Sequence, residues 1–272
     1  MANFEYKGKK IYYETHGEGA PLILLNGIMM STLSWQAFIA PLSAGNRLIL
    51  LDFLDQGQSD KHSEDAYGVA LQVEVLKALY DHLGLERAAI AGISYGGNVA
   101  LKFASEYPAL VHRLIVCNAL AKTGAWLTEL GKGWVMSAQD PAQFYYTTIP
   151  IIYSQEFYNA RPDWVKARRE FLTGQVFTNR EWMDAIERLT ASMDSYDAQG
   201  QLDKITAKTL LVASECDSIT PAYEMCKLRD YIKGADLVLL PGTGHATMYE
   251  RPALFASLII GFANAELEGL VI

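Results

Sequence analysis

Short apolar runs bounded by loop-forming residues recur along most of the chain. Seven segments have the length and composition of strands: residues 10–15, 22–25, 47–51, 88–91, 111–117, 209–213 and 237–240. Continuous apolar runs of this kind are typical of strands that are buried on both faces of a parallel sheet. The pattern therefore predicts a sheet with a largely parallel core.

Segments with helical spacing lie between these strands. In residues 70–83, Leu71, Val75, Leu79 and Leu83 recur every four positions, and residues 94–107 and 252–264 have similar patterns. This spacing places the apolar side chains on one face of a helix. Alternation of strands and helices predicts an α/β fold with a doubly wound, mostly parallel sheet.

The alternation stops between residues 120 and 201. This stretch is rich in helix-forming residues, is interrupted by three prolines and contains no convincing buried strand. It holds 13 of the 30 aromatic residues of the chain, including four of the five tryptophans. We interpret residues 121–201 as a helical cap over a pocket, and residues 1–120 and 202–272 as the core domain. The candidate substrate-binding residues are Trp126, Tyr145 and Tyr153 from this cap, together with Met29 from the core.

Composition and charge narrow the function. Half of the residues are hydrophobic and a fifth are charged, which is ordinary globular composition. The formal net charge of −8 disfavours nucleic acid as a partner. The beginning of the chain lacks the apolar stretch of a signal peptide, and no run of about 18 apolar residues predicts a membrane span. Three cysteines without metal-ligand spacing predict free thiols in a reducing compartment, so we expect a cytoplasmic protein.

The motif that carries chemistry is Gly92-Ile93-Ser94-Tyr95-Gly96, which joins an apolar strand directly to a helix-forming stretch. In this context Gly-x-Ser-x-Gly predicts a nucleophile elbow, in which a strained turn exposes the serine hydroxyl above the sheet. The turn also leaves the amide of Tyr95 at a helix N-terminus, where it can face developing negative charge. Ser94 is therefore the candidate nucleophile.

A serine nucleophile needs a general base and a carboxylate that orients the base. Of the five histidines, His245 alone lies in a Gly-rich loop between the last predicted strand and the last predicted helix. Asp217 follows the strand at 209–213 and is the preferred acid, with Glu215 as the alternative. The chain order Ser94, Asp217, His245 is that of α/β hydrolases. A second oxyanion donor is expected from the amide of Ile28, which follows Asn26-Gly27.

These motifs resemble the α/β-hydrolase fold over about residues 10–265, and specifically its branch of esterases, 3-oxoadipate enol-lactonases and cofactor-free haloperoxidases. The landmarks are Asn26-Gly27, Asp52 through Ser59, Gly92 through Gly96, Asp217 through Pro221 and Gly244-His245. The resemblance implies an eight-stranded sheet with a helical cap between the sixth and seventh strands.

Two landmarks depart from the family pattern. Asn26 stands where the family often has histidine, and this change is expected to alter the polar lining of the pocket. The string Asp-x-Arg-Gly-x-Gly-x-Ser is here Asp52-Phe53-Leu54-Asp55-Gln56-Gly57-Gln58-Ser59, without the Arg and the first Gly. Either the loop packs differently, or Asp55 or Gln56 has a role towards the substrate.

The preferred function is hydrolysis of a small to medium apolar ester, lactone or thioester through an acyl-enzyme on Ser94. Carbon–carbon bond hydrolysis and perhydrolysis by the same triad remain alternatives, as does a ligand receptor on a hydrolase scaffold. The sequence has no metal-binding or nucleotide-binding string, so we expect no cofactor and no metal. A homodimer is left open.

Overall fold

The computed structural model describes residues 2–62 and 66–265. It contains one eight-stranded sheet in the order β1-β2-β4-β3-β5-β6-β7-β8. The strands are β1 (Ala2–Tyr6), β2 (Lys9–His16), β3 (Ala20–Leu25), β4 (Asn46–Leu51), β5 (Ala88–Ile93), β6 (Val111–Cys117), β7 (Lys208–Ser214) and β8 (Asp236–Leu240). β1 and β2 pair antiparallel, β2 and β4 pair antiparallel, and every other neighbouring pair in the sheet is parallel.

Helices cover both faces of this sheet and fill the long connection between β6 and β7. They are α1 (Gln36–Ser43), α2 (Val69–Leu83), α3 (Tyr95–Glu106), α4 (Ala125–Ser137), α5 (Pro141–Ile152), α6 (Gln155–Asn159), α7 (Pro162–Phe171), α8 (Arg180–Ala191), α9 (Ala222–Tyr231), α10 (Thr247–Glu250) and α11 (Pro252–Ala263). Short 3-10 turns lie at Thr32–Trp35, Pro108–Leu110 and Gln199–Lys204, and a π-helical turn lies at Leu172–Val176. The predicted doubly wound α/β fold with an eight-stranded, mostly parallel sheet is confirmed.

The central strands are apolar because helices cover them on both sides. All six residues of β5 are buried, as are the last four of β3 and of β4. Each of the seven strands predicted from sequence corresponds to an observed strand, and the predicted and observed ends differ by at most two residues. β8 differs from the prediction of burial on both faces, because it is an edge strand in which Leu239 is 51% exposed.

β1 was not predicted. Only Phe4 of this five-residue strand is buried, and its neighbours along the strand are polar or partly exposed. Edge strands need no continuous apolar run, so their sequence signal is weak. The strand nevertheless extends the sheet by pairing with β2, with Phe4 opposite Ile11.

Five helices, α4 to α8, lie between β6 and β7, in the stretch where sequence alternation stops. We call residues 118–207 the insertion. Its backbone and side chains contact the core at several points, among them a hydrogen bond from the Ala246 amide to the Ile152 carbonyl of 3.0 Å. The Tyr95 hydroxyl lies 3.0 Å from the Ser192 hydroxyl. No helix in residues 2–62 and 66–265 is long and apolar enough to span a membrane.

Candidate active site

Ser94 occupies the turn between β5 and α3, at the carboxyl end of the central strand. Its backbone has φ 53° and ψ −119°, a conformation that is strained for a residue with a side chain. Two glycines make the turn possible: a Cβ on Gly92 would lie 2.4 Å from the Gly96 carbonyl oxygen, and one on Gly96 would lie 2.6 Å from that of Asn26. The strand, the turn and the helix can therefore pass close together while the hydroxyl points outward.

The imidazole of His245 contacts this hydroxyl. Its Nε2 lies 2.9 Å from the Ser94 Oγ, and its Nδ1 lies 2.7 Å from the Asp217 Oδ2. His245 comes from the loop between β8 and α10, and Asp217 from the loop after β7. The structure thus brings together all three residues that the sequence singled out, at the carboxyl ends of parallel strands.

The carboxylate of Asp217 is buried and held in place. Its Oδ1 accepts hydrogen bonds from the amides of Ile219 and Thr220, and its Oδ2 accepts one from the Thr220 hydroxyl. The alternative acid, Glu215, is exposed and instead accepts the Gly242 amide at 2.8 Å. Of the two candidate acids, Asp217 is therefore the one whose carboxylate contacts the imidazole.

The loop after β3 approaches the nucleophile. A Cβ on Gly27 would lie 3.7 Å from the Ser94 Cβ, and Ile28 follows immediately and lines the same space. Tyr95 is the first residue of α3, so its amide has no acceptor one turn earlier within the helix. The two predicted oxyanion donors, the amides of Ile28 and Tyr95, thus belong to segments on either side of Ser94.

A buried side-chain network supports the Gly27 loop. The Asn26 amide group donates to the Leu51 carbonyl (2.8 Å) and to Gln56 Oε1 (3.0 Å), and the Trp35 indole donates to Asn26 Oδ1 (2.6 Å). Gln56 Nε2 in turn donates to the Gly27 carbonyl (2.9 Å). Asn26 and Gln56, at or beside the two positions where the sequence departs from the family, therefore contact each other and fix the loop.

Asp55, the second departure, connects the core to the insertion. It adopts φ 72°, which explains why the family places glycine there. Its buried carboxylate receives two hydrogen bonds from Arg188 of α8, from Nε at 3.0 Å and from Nη2 at 2.6 Å. The Tyr67 hydroxyl and the His62 amide also donate to it. Asp55 therefore joins this loop to the insertion, and both Asp55 and Gln56 also line the cavity described below.

Asp52 accepts hydrogen bonds from the backbone of the same loop. Burial raises the pKa of its carboxyl, and hydrogen bonds from the amides of Gln58 and Thr32 act in the opposite direction. The amide of Thr32 donates at 2.7 Å and that of Gln58 at 2.9 Å. Asp52 therefore joins the Thr32 and Gln58 segments through these two backbone amides.

A cavity of about 690 Å³ opens above Ser94, between the core and the insertion. Its lining is largely apolar and includes Met29 and Tyr153, two of the four predicted substrate-binding residues. The other two lie elsewhere. Trp126 is 59% exposed and donates its indole N–H to the Ser218 carbonyl, and the buried Tyr145 directs its hydroxyl to that of Tyr158 at 2.6 Å.

The error has a physical cause. An aromatic residue in an insertion packs wherever it finds apolar surface, and residue type alone does not tell which side of the helix faces the cavity. Of the 13 aromatic residues in residues 120–201, five line it: Trp134, Tyr153, Phe171, Phe177 and Trp182.

Sequence reasoning also missed residues that line or support the site. Thr220 contacts both the Asp217 carboxylate and His245 Nδ1, the latter at 3.3 Å. Arg168 of α7 lines the cavity. The position of Thr220, one residue before Pro221, could have suggested that it lies beside Asp217. The lining role of Arg168 depends on the orientation of α7, which the sequence does not indicate.

Comparison with known proteins supports the fold described above. A sequence profile described as the alpha/beta hydrolase fold matches residues 20–252. The crystal structure of MGS-M2, an alpha/beta hydrolase enzyme from a Medee basin deep-sea metagenome library, superposes with a TM-score of 0.96 at 41% identity, covering 99% of this chain and 100% of that one.

Two further relatives have lower sequence identity to this chain. A 2-hydroxy-6-oxo-6-phenylhexa-2,4-dienoate hydrolase from Comamonas testosteroni is 28% identical, with 93% of this chain and 90% of that protein covered. The putative carbamate hydrolase RutD from Caulobacter sp. (strain K31) is 24% identical, with 94% and 96% covered. The profile match and the likeness to MGS-M2 together establish that this chain belongs to the α/β hydrolase fold family of enzymes.

Proposed function

We propose that this hydrolase cleaves a carboxylic ester, lactone or thioester of a small to medium substrate through an acyl-enzyme on Ser94. The observation that carries the proposal is the continuous chain of contacts from the Ser94 hydroxyl through His245 to Asp217, at 2.9 and 2.7 Å, at the base of a 690 Å³ cavity. Cavities of about 300–1,000 Å³ bind ligands of this size.

In the first half of the reaction, Ser94 Oγ attacks the carbonyl carbon while His245 Nε2 takes its proton. The carbonyl electron pair moves to oxygen, where the amides of Ile28 and Tyr95 would stabilise the charge. Each such donor contributes about 10²–10³ in rate. Asp217 accepts a hydrogen bond from the Nδ1–H group and stabilises the imidazolium. The carbon–oxygen or carbon–sulfur bond then breaks, and His245 returns the proton to the leaving group.

In the second half, water attacks the acyl-enzyme and gives its proton to His245. The bond between the acyl carbon and Ser94 Oγ breaks, the serine recovers the proton, and the acid leaves. The insertion would act as a cap that keeps bulk water from the cavity, and the three free cysteines fit a cytoplasmic location.

Turnover of p-nitrophenyl acetate and butyrate tests the proposal. We expect Ser94→Ala to lower kcat/KM by about 10⁴ or more, as removal of a serine nucleophile does elsewhere. Ser105→Ala is the matched control, since this serine lies on α3 with its hydroxyl bonded to the Lys102 carbonyl, away from the cavity. Unchanged turnover in the Ser94 variant would refute the proposal.

A second candidate reaction is carbon–carbon bond hydrolysis, which the likeness to the Comamonas hydrolase favours. The same residues would act on a ketone whose neighbouring carbon leaves as a stabilised carbanion. Parallel assays with p-nitrophenyl butyrate and a vinylogous 1,5-diketone separate the two. If kcat/KM is higher for the diketone, carbon–carbon bond hydrolysis rather than ester hydrolysis is the preferred reaction.

A further inference from the structure

Arg168 is the only lysine or arginine among the described residues that line the cavity. It lies on α7, near the C-terminal end of that helix, and is half-buried. Its Nε atom is buried and has no hydrogen-bond partner. In residues 2–62 and 66–265, no carboxylate lies within 4.0 Å of its guanidinium.

Arg188, on the next helix of the insertion, is an arginine whose hydrogen-bond donors are paired, and it serves as a comparison for Arg168. It forms a two-pronged bond with the carboxylate of Asp55, at 3.0 and 2.6 Å. A guanidinium presents its donors in a planar fork that matches a carboxylate. Arg168 has the same fork beside the cavity but no such partner. A carboxylate in the cavity could supply the acceptors that this fork lacks.

The acids near the cavity are engaged elsewhere. Asp52 accepts backbone amides, and Asp55 is bound by Arg188. Asp194 lines the cavity but is exposed to solvent. Glu250 accepts the Ser154 amide and hydroxyl, at 2.7 and 2.6 Å. None of these groups pairs with Arg168 at contact distance, and its guanidinium carbon lies 5.9 Å from the ring centre of Tyr249, which also lines the cavity.

Other unsatisfied polar atoms gather in the same place. Among the residues that the structure describes, seven buried side-chain nitrogen and oxygen atoms have no hydrogen-bond partner, and five of them belong to residues that line this cavity: Thr32, Thr123, Trp134, Arg168 and Thr190. Buried polar groups are normally paired, and the exceptions call for an explanation. The lining is therefore not wholly apolar.

We propose that Arg168 binds a carboxylate of the substrate while the scissile carbonyl of that substrate lies at Ser94. This inference rests on the proposed function and differs from the sequence-based expectation in one respect, because the substrate is then an anionic ester, lactone or thioester rather than an apolar one. The carboxylate belongs either to the acyl part or to the alcohol part, and the two sources are separable.

Matched pairs of esters test the assignment. For the acyl side, kcat/KM is measured for the p-nitrophenyl monoester of adipic acid and for p-nitrophenyl hexanoate. For the alcohol side, 4-acetoxybenzoate is compared with phenyl acetate. For each pair, kcat/KM of the charged substrate is divided by kcat/KM of its neutral partner. A general loss of activity therefore cancels in the ratio. We expect Arg168→Gln to lower this ratio by about tenfold or more in one of the two pairs, which also identifies the side that carries the carboxylate.

Arg169→Gln is the control, since it removes the same charge one residue further along α7 from a side chain that does not line the cavity. Its ratio should equal that of the unaltered enzyme. Arg168→Lys keeps the charge but not the planar fork, so its ratio should lie between those of the unaltered enzyme and of Arg168→Gln. Ratios in both pairs that do not change with Arg168→Gln would overturn the assignment.

A binding measurement separates this inference from the proposed reaction. Titration calorimetry with adipate needs no turnover, so it reports on Arg168 even if Ser94 proves not to be the nucleophile. We expect binding to the unaltered protein and at least a tenfold weaker Kd for Arg168→Gln. Equal affinities would refute the role of Arg168, whereas a failure of Ser94→Ala to stop ester turnover would refute only the proposed function.

Discussion

The ion pair between Asp55 and Arg188 gives the most quantitative prediction of stability, because its two partners are buried to different extents. The Asp55 side chain is 0% exposed and that of Arg188 is 25% exposed. Arg188→Met leaves a carboxylate in the interior with only the Tyr67 hydroxyl and the His62 amide as donors. Asp55→Asn leaves an arginine that can reach water. Removal of Arg188 should therefore cost more than removal of the Asp55 charge.

The magnitudes follow from measured cases of the same kind. Breaking a buried pair and stranding a charge costs about 3–5 kcal/mol, which we expect for Arg188→Met. Loss of a hydrogen bond to a charged group costs about 1.5–3 kcal/mol, which we expect for Asp55→Asn. Since about 1 kcal/mol shifts Tm by about 2–4 °C in a chain of this size, Arg188→Met should lower Tm by at least about 6 °C.

Urea unfolding followed by circular dichroism measures these free energies of unfolding. Arg180→Met is the matched control on the same helix, because the Arg180 side chain is 49% exposed and its ion pairs with Asp184 and Glu187 lie at the surface, where their loss should cost no more than about 1 kcal/mol. The double variant Asp55→Asn/Arg188→Met should be more stable than the sum of the single losses predicts. A larger loss for Asp55→Asn than for Arg188→Met, or strict additivity, would refute this reasoning.

Three further predictions concern the site and its surroundings. Gly92→Ala should abolish ester turnover and lower Tm, because its Cβ would lie 2.4 Å from a backbone oxygen; near-normal kcat and Tm would contradict the elbow geometry. Gln56→Leu should lower kcat for p-nitrophenyl butyrate by about tenfold or more with little change in KM, because the Gly27 loop loses its support, and a change in KM alone would point instead to a binding role. Burial raises the pKa of the Cys117 thiol to about 12, so little thiolate forms at pH 8. Ellman's reagent should thus titrate two thiols in the native protein and three in urea, and three in the native protein would contradict this burial.

The core of the fold could be predicted because its signals are local. A strand that is covered on both faces must be apolar along its length, and a helix on the sheet must repeat its apolar positions every three to four residues. Gly-x-Ser-x-Gly between such a strand and such a helix marks Ser94, since only small residues fit at Gly92 and Gly96. Loop position at the ends of strands then singles out Asp217 and His245.

The lining of the cavity could not be predicted in this way. Trp126 and Arg168 both lie on helices of the insertion, yet one is exposed and the other faces the cavity. Which face of each helix points towards the cavity depends on long-range contacts. One such contact is that of Asp55 with Arg188, two residues that are 133 positions apart in the chain. The sequence does mark Asp55 and Gln56 as unusual, but only coordinates show that one anchors the insertion and the other supports the loop beside Ser94.

The central claim is that the hydroxyl at position 94 is made nucleophilic by its two partners. Mass spectrometry after treatment with a fluorophosphonate tests this directly, because the reagent forms a covalent bond only with an activated serine. We expect one adduct per chain on the peptide that contains Ser94, and we expect it to form much more slowly in His245→Ala. An adduct on another serine, or labelling of Ser94 at the same rate without the imidazole, would contradict it.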